Sequence, residues 1–121
     1  MNYTKIISTA DGGSIMLSEH LEFAPVEYMP GRPQIGLSSA FVSQSTLFAS
    51  APAGWVGDWH PVPRRQLVVG VSGNMEFRTT DRQQCQIGAG DVILFEDLTG
   101  KGHFSQVTGP DDWVSVVIAL D

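Results

Sequence analysis

From Ile35 to the C-terminus, short runs rich in Val, Ile, Phe, Thr and Trp alternate with Gly, Pro, Asn and Asp. That is the rhythm of an all-β sandwich or barrel. The pattern predicts strands near Leu47 to Ala49, Trp55 to His60, Gln66 to Val71, Met75 to Thr79, Gln84 to Ile87, Val92 to Phe95, His103 to Val107 and Trp113 to Leu120. Turn residues separate them at Ser72 to Asn74, Thr79 to Gln84, Ile87 to Asp91 and Gly109 to Asp112. A helical period is absent, apart from a turn or two within SEHLEF, Ser18 to Phe23. The stretch APVEYMPGRPQIG carries three prolines and two glycines, which exclude a central strand. Residues 1–44 are therefore expected to be an arm with an edge strand, wrapped over a barrel formed by residues 45–121, in one domain overall.

Length agrees, since 121 residues suffice for one core. Charge then narrows the partners. At a formal net charge of -6, with seven Lys and Arg scattered along the chain, there is no basic stripe for a phosphate backbone, so nucleic acid is not an expected partner. The lone Cys85 excludes an intramolecular disulfide and a thiolate zinc cluster. It has no basic neighbour in sequence to activate it and is expected to be a half-buried strand residue. Neither a signal-peptide pattern nor a membrane-length apolar run is visible, and the expectation is a soluble cytoplasmic protein without membrane contact.

Candidate chemistry gathers in two stretches. In GWVGDWHPVPRRQLVVGVSG, Gly54 to Gly73, strand alternation points Asp58, His60 and Val62 one way. Beyond Pro61 and Pro63, which mark a strand end, Gln66, Val68 and Gly70 share a side. In FEDLTGKGHFSQ, Phe95 to Gln106, two acids and a Gly-rich turn lead into His103, a loop that would carry Glu96 or Asp97 to the rim near His60. The same alternation puts Trp55 and Trp59 outside, under the arm or a second subunit. Arg64 and Arg65 stand at the mouth, either clamping a ligand's carboxylate or phosphate or simply solvated. His20 reads as surface or packing, and Lys101 sits in too exposed a turn for a catalytic amine.

These residues resemble the cupin family. Its first motif runs from a glycine through His-x-His and a glutamate to a closing glycine. Here Gly54, His60 and Gly73 keep that spacing, with Val62 at the second histidine position and Gln66 at the glutamate position. In the second motif Gly90, Gly100 and His103 match, while Leu98 and Val107 replace a proline and an asparagine. The resemblance covers about residues 45 to 120, and the DWHPVPRRQ and EDLTGKGH stretches are similar to a subgroup of small bacterial and fungal cupin-domain proteins. It implies an antiparallel jelly-roll β-barrel with a small-molecule site in the lumen. It also implies one divalent ion, iron, manganese, zinc or nickel, on three histidines and a glutamate. Only His60, His103 and the neutral Gln66 stand at ligand positions here, because Val62 cannot ligate. A hydrogen-bonded pocket is expected ahead of a tightly held metal, which would need Asp58, Glu96 or Asp97 as a further ligand.

Two function classes follow. In the first, an enzyme of isomerase, lyase, cyclase or oxygenase type uses Asp58, His60 and His103 for catalysis, with Gln66, Arg64, Val62, Val68, Glu96 and Asp97 around a small organic substrate. In the second, a barrel with a degenerate metal site binds or senses a ligand without turnover. The arm and the outward tryptophans predict a homodimer.

Overall fold

The computed structural model describes residues 1–121, which form twelve strands and no helix. In chain order these are β1 (Asn2–Ser8), β2 (Ser14–His20), β3 (Ala24–Val26), β4 (Ile35–Leu37), β5 (Ser45–Ala51), β6 (Val56–His60), β7 (Gln66–Ser72), β8 (Asn74–Arg78), β9 (Gln84–Ile87), β10 (Val92–Glu96), β11 (His103–Thr108) and β12 (Trp113–Ala119). A six-stranded sheet in the order β2-β1-β10-β7-β12-β5 faces a four-stranded sheet in the order β6-β11-β8-β9. The result is a jelly-roll-like sandwich whose two sheets do not close into a barrel.

The eight strands predicted from the apolar pattern correspond to β5 through β12. Their inward positions build the core: Val68, Met75, Phe77, Ile93, Phe95, Val107 and Trp113 are all buried in one cluster. At roughly 1.5–3 kcal/mol per fully buried large apolar side chain, this cluster is the main force holding the two sheets face to face.

The N-terminal segment divides. β1 pairs with β2 antiparallel along its whole length and with β10 in parallel, Thr4 opposite Ile93, so the hairpin belongs to the large sheet. Ile6 of β1 is completely buried in the core. The proline-broken stretch forms only the short hairpin of β3 and β4, apart from both sheets. A helical turn at Ser18 to Phe23 is not formed. Ser18, Glu19 and His20 are instead the last residues of β2, paired with Thr4, Tyr3 and Asn2, and ladder pairing overrides a weak local preference.

Gly73 joins β7 to β8 at φ 75°. A Cβ there would lie 2.2 Å from the Asp112 carbonyl oxygen, so the tight hairpin excludes a side chain as well as needing the left-handed backbone. β5 is one of the two edges of the large sheet, and on it Leu47 and Phe48 are 54% and 75% exposed.

Candidate functional site

β11 begins and β6 ends at a pair of histidines. His103 lies directly opposite His60 in the antiparallel ladder, their ring centroids 4.9 Å apart. The next matched pair on the inner face is Ser105 with Gly57, so β6 spends three residues where β11 spends two. This bulge breaks strict alternation. Gly57 and His60 both face inward, while Asp58 and Trp59 are displaced to the outside. Trp55, two residues before Gly57, also turns inward.

A cavity of about 340 Å³ opens between the sheets at this point, at the low end of the roughly 300–1,000 Å³ usual for small-molecule sites. His60, His103, Gln66 and Val68 line it, as expected. Trp55, Phe77, Phe95, Trp113, Ser105 and Ser115 line it too and were not among the sequence candidates. Strand parity on β11 and β12 points to the two serines. The interior Gly57 of VGDWH was the available signal for the bulge, because a glycine inside a strand often marks one.

Asp58 does not enter the cavity. Its carboxylate accepts from its neighbour Trp59 N at 2.8 Å, and its carbonyl oxygen accepts from His60 Nδ1 at 2.6 Å. It orients His60 through the backbone. A carbonyl can only accept, so His60 carries its proton on Nδ1 and its Nε2 is left free.

His103 is held more firmly. Its Nδ1 lies 2.7 Å from Asp97 Oδ2, and both side chains are buried, Asp97 at 0% exposure. Phe95 and Phe77 pack on the ring at 4.6 and 5.8 Å between centroids. Asp97 Oδ1 is the one buried side-chain polar atom without a partner. His103 Nε2 makes no hydrogen bond and is not such an atom, so it meets the open cavity. A carboxylate on Nδ1 fixes the ring's orientation and tautomer.

The approach of β11 to β6 depends on Gly102. At φ 72° it sits where a Cβ would lie 2.1 Å from the His60 carbonyl oxygen. The turn before His103 must pass against the end of β6 for the imidazoles to meet.

The remaining candidates lie elsewhere. Val62 is buried in the apolar core, and its N–H donates to the Asp97 carbonyl oxygen at 3.1 Å, tying the β6 exit to the Asp97 loop. Glu96 points to the other face, where it pairs with Arg65 and, at 3.5 Å, with Lys5. Burial pushes the Glu96 carboxyl up, but the hydrogen bond and charge of Arg65, with Lys5 behind them, outweigh it and hold the group below its ordinary value. Arg65 also reaches Asp121 at 3.4 Å, and Arg64 is exposed, so no guanidinium stands at the cavity mouth. Cys85 is half-buried, and burial pushes its thiol up to about 11, which leaves it unreactive at neutral pH.

The lining contains no Asp, Glu, Lys or Arg. As a metal site it is incomplete, because two Nε2 atoms and one amide bring no negative charge to offset a dication, and no three His, Cys, Asp or Glu side chains converge. The buried Asp97 behind His103 is an orienting group, not a ligand, since its Oδ2 is engaged by Nδ1.

Among solved structures the chain is similar to the DMSP lyase DddQ of Ruegeria pomeroyi, at a TM-score of 0.55 and 18% identity over 83% of this chain. The likeness is one of fold. The chain spans 47% of the length of DddQ. Weaker similarities link it to protein NMB1881 of Neisseria meningitidis, at TM-score 0.46 and 17% identity over 63% of this chain and 72% of that one, and to a putative ethanolamine utilization protein of Salmonella typhimurium, at 0.44 and 12% over 99% and 95%. No protein-family model and no curated protein matches the sequence.

Proposed function

We propose that the chain is a small-molecule protein of cupin type whose cavity performs proton transfer on a small uncharged organic substrate. The observation that carries this reading is the buried Asp97–His103 pair, which aims a free Nε2 into an apolar cavity 4.9 Å, ring to ring, from a second imidazole. A buried carboxylate costs stability unless it is paired, so its retention behind an imidazole suits a group poised to exchange a proton.

In this reading the His103 Nε2 lone pair takes a proton from the substrate, and Asp97 stabilises the imidazolium that forms. His103 Nε2 then returns that proton at a second substrate atom, while His60, its ring held by the Asp58 carbonyl oxygen, accepts a hydrogen bond from the substrate at its own Nε2. Gln66, Ser105 and Ser115 supply neutral hydrogen bonds for orientation, while Trp55, Phe77, Phe95 and Trp113 exclude water. One proton in and one proton out describes an isomerase, a lyase or a cyclase. The uncharged lining favours a neutral substrate over a carboxylated one.

The test is exchange of activated C–H protons in deuterated water, followed by proton NMR on a panel of small neutral enolisable carbonyl compounds. The proposal expects exchange catalysed by the wild-type chain and lost in His103→Asn. Saturable binding of panel members without exchange would instead favour a binding or sensing role.

A further inference from the structure

We propose that the outer face of the four-stranded sheet carries a separate binding site for a small multiply charged oxyanion, a phosphoryl group, in the groove lined by Trp59, Arg78, Arg82 and Lys101. The groove measures about 440 Å³. It lies on the opposite face of the sheet from the cavity, because the β6 bulge that turns His60 inward leaves Trp59 outside.

The distribution of cations carries the inference. In a chain of net charge -6 with seven Lys and Arg, three of the seven gather here. Of the other four, Lys5 is bridged by Glu19 and Glu96 and Arg65 by Glu96 and Asp121, while Arg32 and Arg64 are exposed and stand apart from the groove. In the groove the charges stand together and mostly unpaired. Neither Arg82 nor Lys101 has a carboxylate within ion-pair distance, and Arg78 shares its charge with Glu76 alone, at 3.2 Å.

Two of the three cations are placed by aromatic rings. The Lys101 ammonium lies 4.5 Å from the Trp59 ring centroid, and the Arg78 guanidinium 5.3 Å from that of Phe104. A π-face orients a cation without cancelling its charge, leaving it available to an incoming anion. The one acid of the adjoining loop, Asp81, is turned into that loop, where its carboxylate accepts from Thr79 Oγ1 at 2.6 Å and from Gln83. Two guanidinium forks and one ammonium lining one open groove match the oxygens and the charge of a phosphoryl group better than a single carboxylate.

The experiment is a proton–nitrogen NMR titration of the full chain at low ionic strength with inorganic phosphate and, separately, glycerol phosphate, against chloride of matched ionic strength. The expected result is a saturable shift of the Trp59 indole N–H, with binding about tenfold weaker in Arg82→Gln and in Lys101→Gln and unchanged in Arg64→Gln. Tighter binding of glycerol phosphate would identify a phosphate ester as the natural ligand, and equal binding the free ion. Both support the site. Absence of a saturable shift with either probe, or equal weakening in Arg64→Gln, would overturn it. All three substituted side chains are exposed, so loss of fold is not expected to obscure the result.

Discussion

Asp97 Oδ2 and His103 Nδ1 lie 2.7 Å apart at the floor of the cavity, both side chains almost wholly removed from solvent. The pair is a liability unless both members are present. Removing the imidazole in His103→Ala strands a buried carboxylate whose other oxygen already lacks a partner. That change is expected to cost about 3–5 kcal/mol. Asp97→Asn keeps a hydrogen-bonding partner of the same shape and is expected to cost less than half as much. Urea denaturation of both variants measures this, and equal losses would contradict the pairing.

Gly102→Ala is expected to separate the two histidines. The added methyl group would fall on the His60 carbonyl, and the backbone is left-handed there, so the turn must move. Strain of this kind costs on the order of 1–3 kcal/mol. The ring contact between His60 and His103 should weaken in nuclear Overhauser measurements, while the core signals of Phe77 and Ile93 persist. An unchanged ring contact would contradict the assigned role of the glycine.

Glu96 supplies a pH dependence. Its folded pKa is held below the ordinary 4.5, so its ion pairs with Arg65 and Lys5 contribute stability above that value. That contribution is lost as pH falls from 4.5 through the lower folded value. Glu96→Gln should therefore lower stability at neutral pH by about 1–2 kcal/mol and flatten the decline on the acid side. Parallel pH–stability curves for wild type and variant would contradict this.

How far the sequence foretold the site turns on two residues of β6. Alternation from His60 alone placed Asp58 in the pocket and Trp55 outside, and both positions are reversed because one extra residue enters the strand beyond Gly57. The motif spacing, in contrast, placed His60 and His103 near each other, and Gly102, between the matched Gly100 and His103, makes the close backbone approach that this needs. Asp97 and Glu96 were indistinguishable as adjacent acids; only the pleat of β10 and its continuation decide that one meets His103 and the other Arg65. The strands of the two sheets were legible from residue 45 onward because short runs of Val, Ile, Phe and Trp are set off there by turn residues, although burial alternates strictly only in β11. The β1–β2 hairpin was not, because its partner β10 lies some ninety residues away and no local pattern reports a parallel pairing.

Self-association is expected at β5. The strand STLFASA is a free edge without charge or proline, with Phe48 and Leu47 exposed, and such an edge offers its backbone to an identical strand across a two-fold axis. The tryptophans that first suggested an interface do not form one surface, since Trp55 lines the cavity. Sedimentation should give a dimer at micromolar concentration, shifted toward monomer by Phe48→Lys. A wild-type monomer would contradict the expectation.

The proton-transfer site is tested most directly by where the histidine protons sit. Long-range proton–nitrogen NMR of the imidazoles reads this without knowledge of the substrate. Both His103 and His60 are expected to carry a proton on Nδ1, donated to Asp97 and to the Asp58 carbonyl oxygen, with the Nε2 lone pair of each facing the cavity. A His103 protonated on Nε2 alone would contradict the Asp97–His103 pair, and with it the proton-transfer site.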